Sequence, residues 1–133
     1  LGIHEYASFA ELTMFGWAYT GGAHGNGYNN YFQFDKSTGR YLELADFFTD
    51  INALNKIAEP HFRKLFKLTA EESLNDYGFW FENNQFSVYE NFTFNGGEVL
   101  FYYNSYDIAP YSGGPTELLI PLEEVKHLLK RNI

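Results

Sequence analysis

The run Phe86-Ser87-Val88-Tyr89-Glu90-Asn91-Phe92-Thr93-Phe94-Asn95-Gly96-Gly97-Glu98-Val99-Leu100-Phe101-Tyr102-Tyr103 decides the fold class. Phe86, Val88, Phe92 and Phe94 share one face, with Glu90 the exception, which is the period-two pattern of a half-buried strand. Asn95-Gly96 then breaks the run. Both central residues of a tight hairpin turn take positive φ, and Asn-Gly tolerates this well. A turn there sets Phe94 opposite Gly97, Phe92 opposite Val99, Glu90 opposite Phe101 and Val88 opposite Tyr103. The apolar faces of the two strands then coincide, which supports an antiparallel pair in this register.

Outward from the hairpin, strands and helices segregate. Phe9 to Thr20 and Tyr28 to Asp35 are rich in aromatic and β-branched types, and Tyr28, Asn30, Phe32 and Phe34 fall on one face. Lys36-Ser37-Thr38-Gly39 reads as a turn, with Gly39 free to adopt positive φ, followed by a short strand over Arg40 to Leu44. From Ile51, apolar residues at Leu54, Ile57, Ala58, Phe62, Leu65 and Phe66 follow the helical period, with Asp50 as N-cap. Pro60 lacks an N–H and is expected to kink or split this helix. Thr69-Ala70-Glu71-Glu72 has the form of a capping box and predicts a short second helix ending near Gly78. Thr116 to Ile120 is a further strand. Pro121 suits a first helical position, and Leu122, Val125, Leu128 and Leu129 make the buried stripe of a helix running to Arg131. The predicted class is α+β: one antiparallel sheet with two or three helices packed on it.

The 133 residues suit one domain, and 45% hydrophobic content excludes a disordered chain. A net charge of −8 repels a phosphate backbone, so nucleic acid is not an expected partner, whereas a cationic protein is attracted. Cysteine is absent, which excludes disulfides and thiolate chemistry. No apolar run approaches the roughly 20 residues of a membrane-spanning helix. The chain starts at Leu1, and we expect the C-terminal part of a longer exported protein.

Catalytic signatures do not emerge. No Gly-x-Ser-x-Gly elbow or P-loop is present. His4-Glu5 begins like a zinc-protease motif, but Ser8 stands where the second histidine belongs. Asp35 to Asp46 has the length of a calcium loop, but Arg40 occupies the sixth position, where glycine is needed, so a plain turn is expected. No metal or other cofactor is expected. Asn91-Phe92-Thr93 matches a glycosylation sequon, which a mid-strand Asn91 makes accidental.

Two loops carry unusual residues. Tyr19-Thr20-Gly21-Gly22-Ala23-His24-Gly25-Asn26-Gly27-Tyr28 allows tight turns and close approach of a ligand, and His24 can hydrogen-bond through either ring nitrogen. Tyr106-Asp107-Ile108-Ala109-Pro110-Tyr111-Ser112-Gly113-Gly114-Pro115 presents two rings and a carboxylate on a rigid loop. The candidate ligand-binding residues are Tyr19, Gly21, Gly22, His24, Tyr28, Tyr106, Asp107 and Tyr111. The alternative for each loop is architectural: an irregular connection with a saturated His24, and tyrosines packed beneath their own loop.

These loops also carry a resemblance. Tyr19-Thr20-Gly21-Gly22-Ala23-His24-Gly25, the run from Phe34-Asp35 through Thr38-Gly39 and Leu42 to Leu44-Ala45-Asp46-Phe47-Phe48, Tyr106-Asp107-Ile108-Ala109-Pro110-Tyr111-Ser112-Gly113-Gly114 and Leu118-Leu119-Ile120-Pro121-Leu122 together resemble a bacterial domain-of-unknown-function family. Its members include the C-terminal domain of the lysozyme-sensing anti-sigma factor and a domain beside the catalytic part of some peptidoglycan deacetylases. The family usually has Glu where this chain has Asp107. The resemblance covers nearly the whole chain, although no motif matches between Asp50 and Gly78. It implies an extracytoplasmic domain of the cell envelope, often preceded by a smaller one. The expected function is a non-catalytic binding or sensing module for a protein or glycan, such as a cationic lysozyme-like protein or a peptidoglycan fragment. The alternatives are a structural accessory domain without a ligand and an enzyme pairing His24 with Asp107.

Overall fold

A computed structural model of the chain describes residues 1–19, 26–110 and 114–133. Among these, the elements in chain order are β1 (Gly2–Glu5), β2 (Phe9–Ala18), β3 (Asn26–Asp35), β4 (Tyr41–Leu42), α1 (Leu44–Phe47), α2 (Ile51–Leu65), β5 (Phe92–Asn95), β6 (Glu98–Tyr103), β7 (Thr116–Pro121) and α3 (Leu122–Val125). Short 3₁₀ turns cover Asn75–Tyr77, Glu82–Asn84 and Lys126–Leu128. The class is α+β and every strand pair is antiparallel. The strands form two sheets rather than the single one expected, ordered β1-β2-β3-β4 and β5-β6-β7.

The two sheets meet through side chains instead of a shared ladder. β4 pairs with β3 only at Gln33 and Phe34, which leaves the backbone of β3 open from Tyr31 toward the hairpin tip. Two asparagine amides close part of that edge. The Tyr31 N–H donates to Asn91 Oδ1 (2.8 Å), and Asn91 Nδ2 donates to the carbonyls of Asn29 and Tyr102. The Asn29 N–H donates to Asn104 Oδ1 (2.8 Å), and Asn104 Nδ2 returns a bond to the Asn29 carbonyl. An amide offers the same donor and acceptor as a peptide unit, so it substitutes for a neighbouring strand. Asn91 is buried in this role, although it precedes β5 rather than lying mid-strand as expected.

Closer to the hairpin base, Glu11 on β2 and Gln33 on β3 face each other and are 4% and 1% exposed. Thr93 Oγ1 donates to Glu11 Oε1 (2.7 Å), while Gln33 Nε2 donates to Glu11 Oε2 (2.8 Å) and to the Phe92 carbonyl (2.7 Å). Burial holds the Glu11 carboxyl above its ordinary range, against the opposing effect of the Thr93 and Gln33 bonds.

Aromatic residues fill the core. Phe9, Phe47, Phe92 and Phe94 pack edge-to-face or tilted under the first sheet, while Phe62 of α2 meets Phe79, Phe81, Phe86 and Tyr103. Helix α2 contributes Leu54, Ala58 and Phe62 to the core and is capped by Asp50, whose carboxylate accepts the Ala53 N–H. Leu65 and Phe66 do not extend that buried stripe, because the helix ends there and leaves both partly exposed. Pro60 neither kinks nor splits the helix strongly enough to interrupt it. It sits on the exposed side of the helix.

Several other expectations are corrected. The hairpin turn is Gly96-Gly97, with φ of 54° and 89°, rather than Asn95-Gly96. Phe94 therefore faces Val99 and Phe92 faces Phe101. Residues 86–91 are not part of the ladder. Val88 N–H donates to Asn55 Oδ1 of α2, and Glu90 accepts the Leu44 N–H at the start of α1. The exceptional Glu90 is thus a carboxylate placed at a helix N-terminus. Leu44, expected at the end of a strand, opens α1 instead. The Thr69–Glu72 box forms half its bonds, with the Thr69 N–H donating to Glu72 Oε1, but closes a turn rather than a helix. The C-terminal helix is shorter than expected: α3 passes into a 3₁₀ turn at Lys126, and Leu129 instead bridges to Phe48. Val125 and Leu128 are buried as its stripe requires.

Candidate binding surface

β2 and β3, ten residues each, pair as a hairpin that outruns the sheet beneath it. Directly paired residues of antiparallel strands project to the same side, so the inward face can be followed row by row. The Glu11–Gln33 row is buried against Thr93 and Phe92. In the Thr13–Tyr31 row both residues are half-buried, and Tyr31 still meets Tyr102 of β6 edge-to-face. In the next two rows, Phe15–Asn29 and Trp17–Gly27, the second sheet has ended: Phe15 is 66% and Trp17 68% exposed. The core-facing side of the hairpin thus continues past the core and presents its rings to solvent.

This stretch differs from the rest of the chain in charge. One residue in five of the protein is charged, yet no Asp, Glu, Lys or Arg occurs from Leu12 to Phe34. Charge depletion together with exposed aromatic rings characterises the centre of a recognition surface. On the opposite face Tyr28 lies over Gly16, where an added Cβ would come within 2.6 Å of the tyrosine ring. Glycine at 16 is therefore what lets this ring lie flat across β2.

Of the residues expected from sequence, Tyr19 is exposed just beyond β2, and Tyr28 is exposed on the face opposite Phe15 and Trp17. Gly21, Gly22, His24 and Tyr111 lie outside the described residues. Asn104, two residues before Tyr106, is bonded to Asn29 in the Phe15 row, so the turn carrying Tyr106 and Asp107 is seated beside the hairpin. Tyr106 is exposed at a φ of 75°. Asp107 closes the turn by accepting the Asn104 N–H (2.7 Å) and donating its own N–H to the Asn104 carbonyl. Burial raises its carboxyl, with the Asn104 N–H and the Tyr89 hydroxyl opposing. Phe15 and Trp17 are the residues that sequence reasoning missed. The uncharged run around them was the available signal.

The remaining candidates resolve into local structure. Asp35 Oδ1 accepts from the N–H and hydroxyl of both Ser37 and Thr38, and its Oδ2 pairs with Arg131 at 3.1 Å. These contacts hold its carboxyl well below the ordinary range. The loop is the plain turn expected, with Gly39 at a φ of 74°. Among the described residues no group of His, Asp or Glu side chains is arranged to hold a metal ion. None of their helices is long and apolar enough to cross a membrane.

Comparison with known proteins gives a family and a fold. The family described as "Protein of unknown function (DUF3298)" matches residues 45–123. A DUF3298-family protein of Bacteroides fragilis NCTC 9343 is 34% identical, superposes with a TM-score of 0.76, and aligns over 96% of this chain and 51% of its own. One from Pseudomonas aeruginosa PAO1 is 24% identical with a TM-score of 0.70, over 97% of this chain and 59% of its own, and supports the fold alone. The chain thus spans little more than half the length of these solved relatives. No curated protein matches it.

Proposed function

This chain belongs to the DUF3298 family of unknown function, and we propose that it is a non-catalytic binding module of the bacterial cell envelope whose recognition surface is the projecting β2–β3 hairpin. The observation that carries this reading is the exposure of Phe15 and Trp17 on a stretch without charged residues. Rings so placed stack on the apolar face of a sugar or fill a pocket of a protein partner. Tyr106, on the turn seated beside them, adds a further ring and a hydroxyl. The commitment of Asp107 to its own turn favours a binding role over a catalytic one. A net charge of −8 favours a cationic protein, which long-range attraction brings to the hairpin, and the short-range contact is apolar. The resemblance to the anti-sigma factor domain and to deacetylase accessory domains supports an extracytoplasmic setting.

Calorimetric titration with a basic lysozyme and with a soluble muropeptide, at low and physiological salt, tests the reading. Saturable binding of one of them is expected, with affinity for the protein ligand falling as salt rises. Absence of heat with both at low salt would remove these two ligand classes.

A further inference from the structure

The outer face of the first sheet poses a different question from the hairpin tip. Residues alternating with the Glu11 and Gln33 rows point away from the core, and on β1 to β4 these include Ile3, Leu12, Met14, Phe32, Phe34 and Tyr41. Leu12, Phe32 and Phe34 are only half-buried, Met14 and Tyr41 are exposed, and Ile3 is 75% exposed. The packing partners of the sheet described above, Thr93, Phe92, Phe94, Tyr102 and Phe47, all serve the other face. On the outer face Tyr41 touches only its sheet neighbours Phe32 and Phe34 among the ring contacts of the described residues.

An antiparallel sheet with one wet face ordinarily shows apolar residues inward and polar residues outward. β2 and β3 do not: the outward positions of β2 are Ala10, Leu12, Met14 and Gly16, and those of β3 include Tyr28, Asn30, Phe32 and Phe34. The one charged outward residue on β1 is Glu5, at the sheet edge. The inward rows Glu11–Gln33 and Thr13–Tyr31 are the more polar ones, so the apolar residues of these strands lie largely on the outward side, and an uncovered apolar face of this kind marks an interaction surface.

We propose that this outer face is the docking surface for a companion domain on the same polypeptide. The solved relatives supply the argument for that occupant. They share this domain almost entirely, yet it accounts for only 51% and 59% of their chains, so each carries a further body of chain large enough to cover a sheet. The core beneath the sheet is complete without the companion, which leaves the domain folded but with one apolar side. This surface is separate from the Phe15 and Trp17 side of the hairpin, so it stands independently of the proposed function.

Carbene footprinting with a photolysed diazirine, read by mass spectrometry, tests it on the 133-residue chain and on the complete gene product. In the chain alone, Ile3, Met14 and Tyr41 should label strongly. In the complete product they should be protected several-fold while Phe15 and Trp17 remain labelled, with light scattering giving a monomer mass. Equal labelling in both proteins overturns the proposal. So does protection that is lost on dilution along with a dimer mass, because a second copy would then be the occupant. Protection confined to Phe15 and Trp17 would also overturn it, by placing the contact on the opposite face.

Discussion

Replacing Glu11 should make the protein's stability less dependent on pH, in a direction opposite to ordinary acid denaturation. The carboxylate is almost fully buried and accepts one bond from Thr93 and one from Gln33. Glu11→Ala leaves the Thr93 hydroxyl and one Gln33 N–H without that acceptor, and at about 1–3 kcal/mol per stranded buried group the loss is about 2–6 kcal/mol. Glu11→Gln should cost far less. Its carbonyl oxygen can accept the Gln33 N–H while its amide donates to the Thr93 oxygen, since a hydroxyl both donates and accepts. The glutamine also removes a charge that burial disfavours. Because the Glu11 carboxyl is raised in the folded state, its contribution to stability is fully present below the unfolded value and is lost as pH rises through the folded one. The assay is urea denaturation of wild type and Glu11→Gln at several pH values from 4 to 8. Other carboxylates titrate in both proteins, so the difference between them isolates this site. Glu11→Gln should gain on wild type as pH rises through that window. A constant difference, or one of opposite slope, would refute the account of this buried carboxylate.

Asn91→Ala should lower unfolding free energy by about 2–5 kcal/mol in denaturant titration, because it leaves the Tyr31 N–H and the Tyr102 carbonyl without this partner, while the Asn29 carbonyl keeps its bond from Asn104. Gly97→Val should cost about 1 kcal/mol or more, since a β-branched residue resists a φ of 89°; an unchanged melting midpoint would place the turn elsewhere. Asp35 behaves oppositely to Glu11: its carboxyl is depressed, so its stabilisation is present above the unfolded value and lost as pH falls through the folded one. Asp35→Asn should therefore flatten the acid limb of the stability profile, as followed by circular dichroism.

The sequence made the class and most elements legible where local chemistry and periodicity agree. Asp50 before the Leu54, Ala58 and Phe62 stripe predicts α2, and Gly39 takes the positive φ expected at its turn. The observed hairpin register differs from the expected one for a definable reason. Asn95-Gly96-Gly97 offers two adjacent two-residue turns, and moving from one to the other shifts each cross-strand partner by two residues. A two-residue shift preserves which face every side chain occupies, so the apolar pattern that supported the expected register fits the observed one equally well. Two sheets looked like one because their junction is made by the side chains of Asn91, Asn104, Gln33 and Glu11 rather than by a strand pattern. Phe15 and Trp17 have the period of the core-facing side, which in sequence is that of ordinary strand residues. Only the end of the second sheet, a tertiary feature, exposes them.

The most direct test of the central claim is ligand affinity of the double variant Phe15→Ser/Trp17→Ser, measured by calorimetry with whichever envelope ligand the wild type binds. Both side chains are mostly exposed, so stability should change by about 1 kcal/mol or less. Affinity should fall by about tenfold or more if these rings anchor the partner. A folded double variant that binds with wild-type affinity would contradict the assignment of the hairpin as the recognition surface.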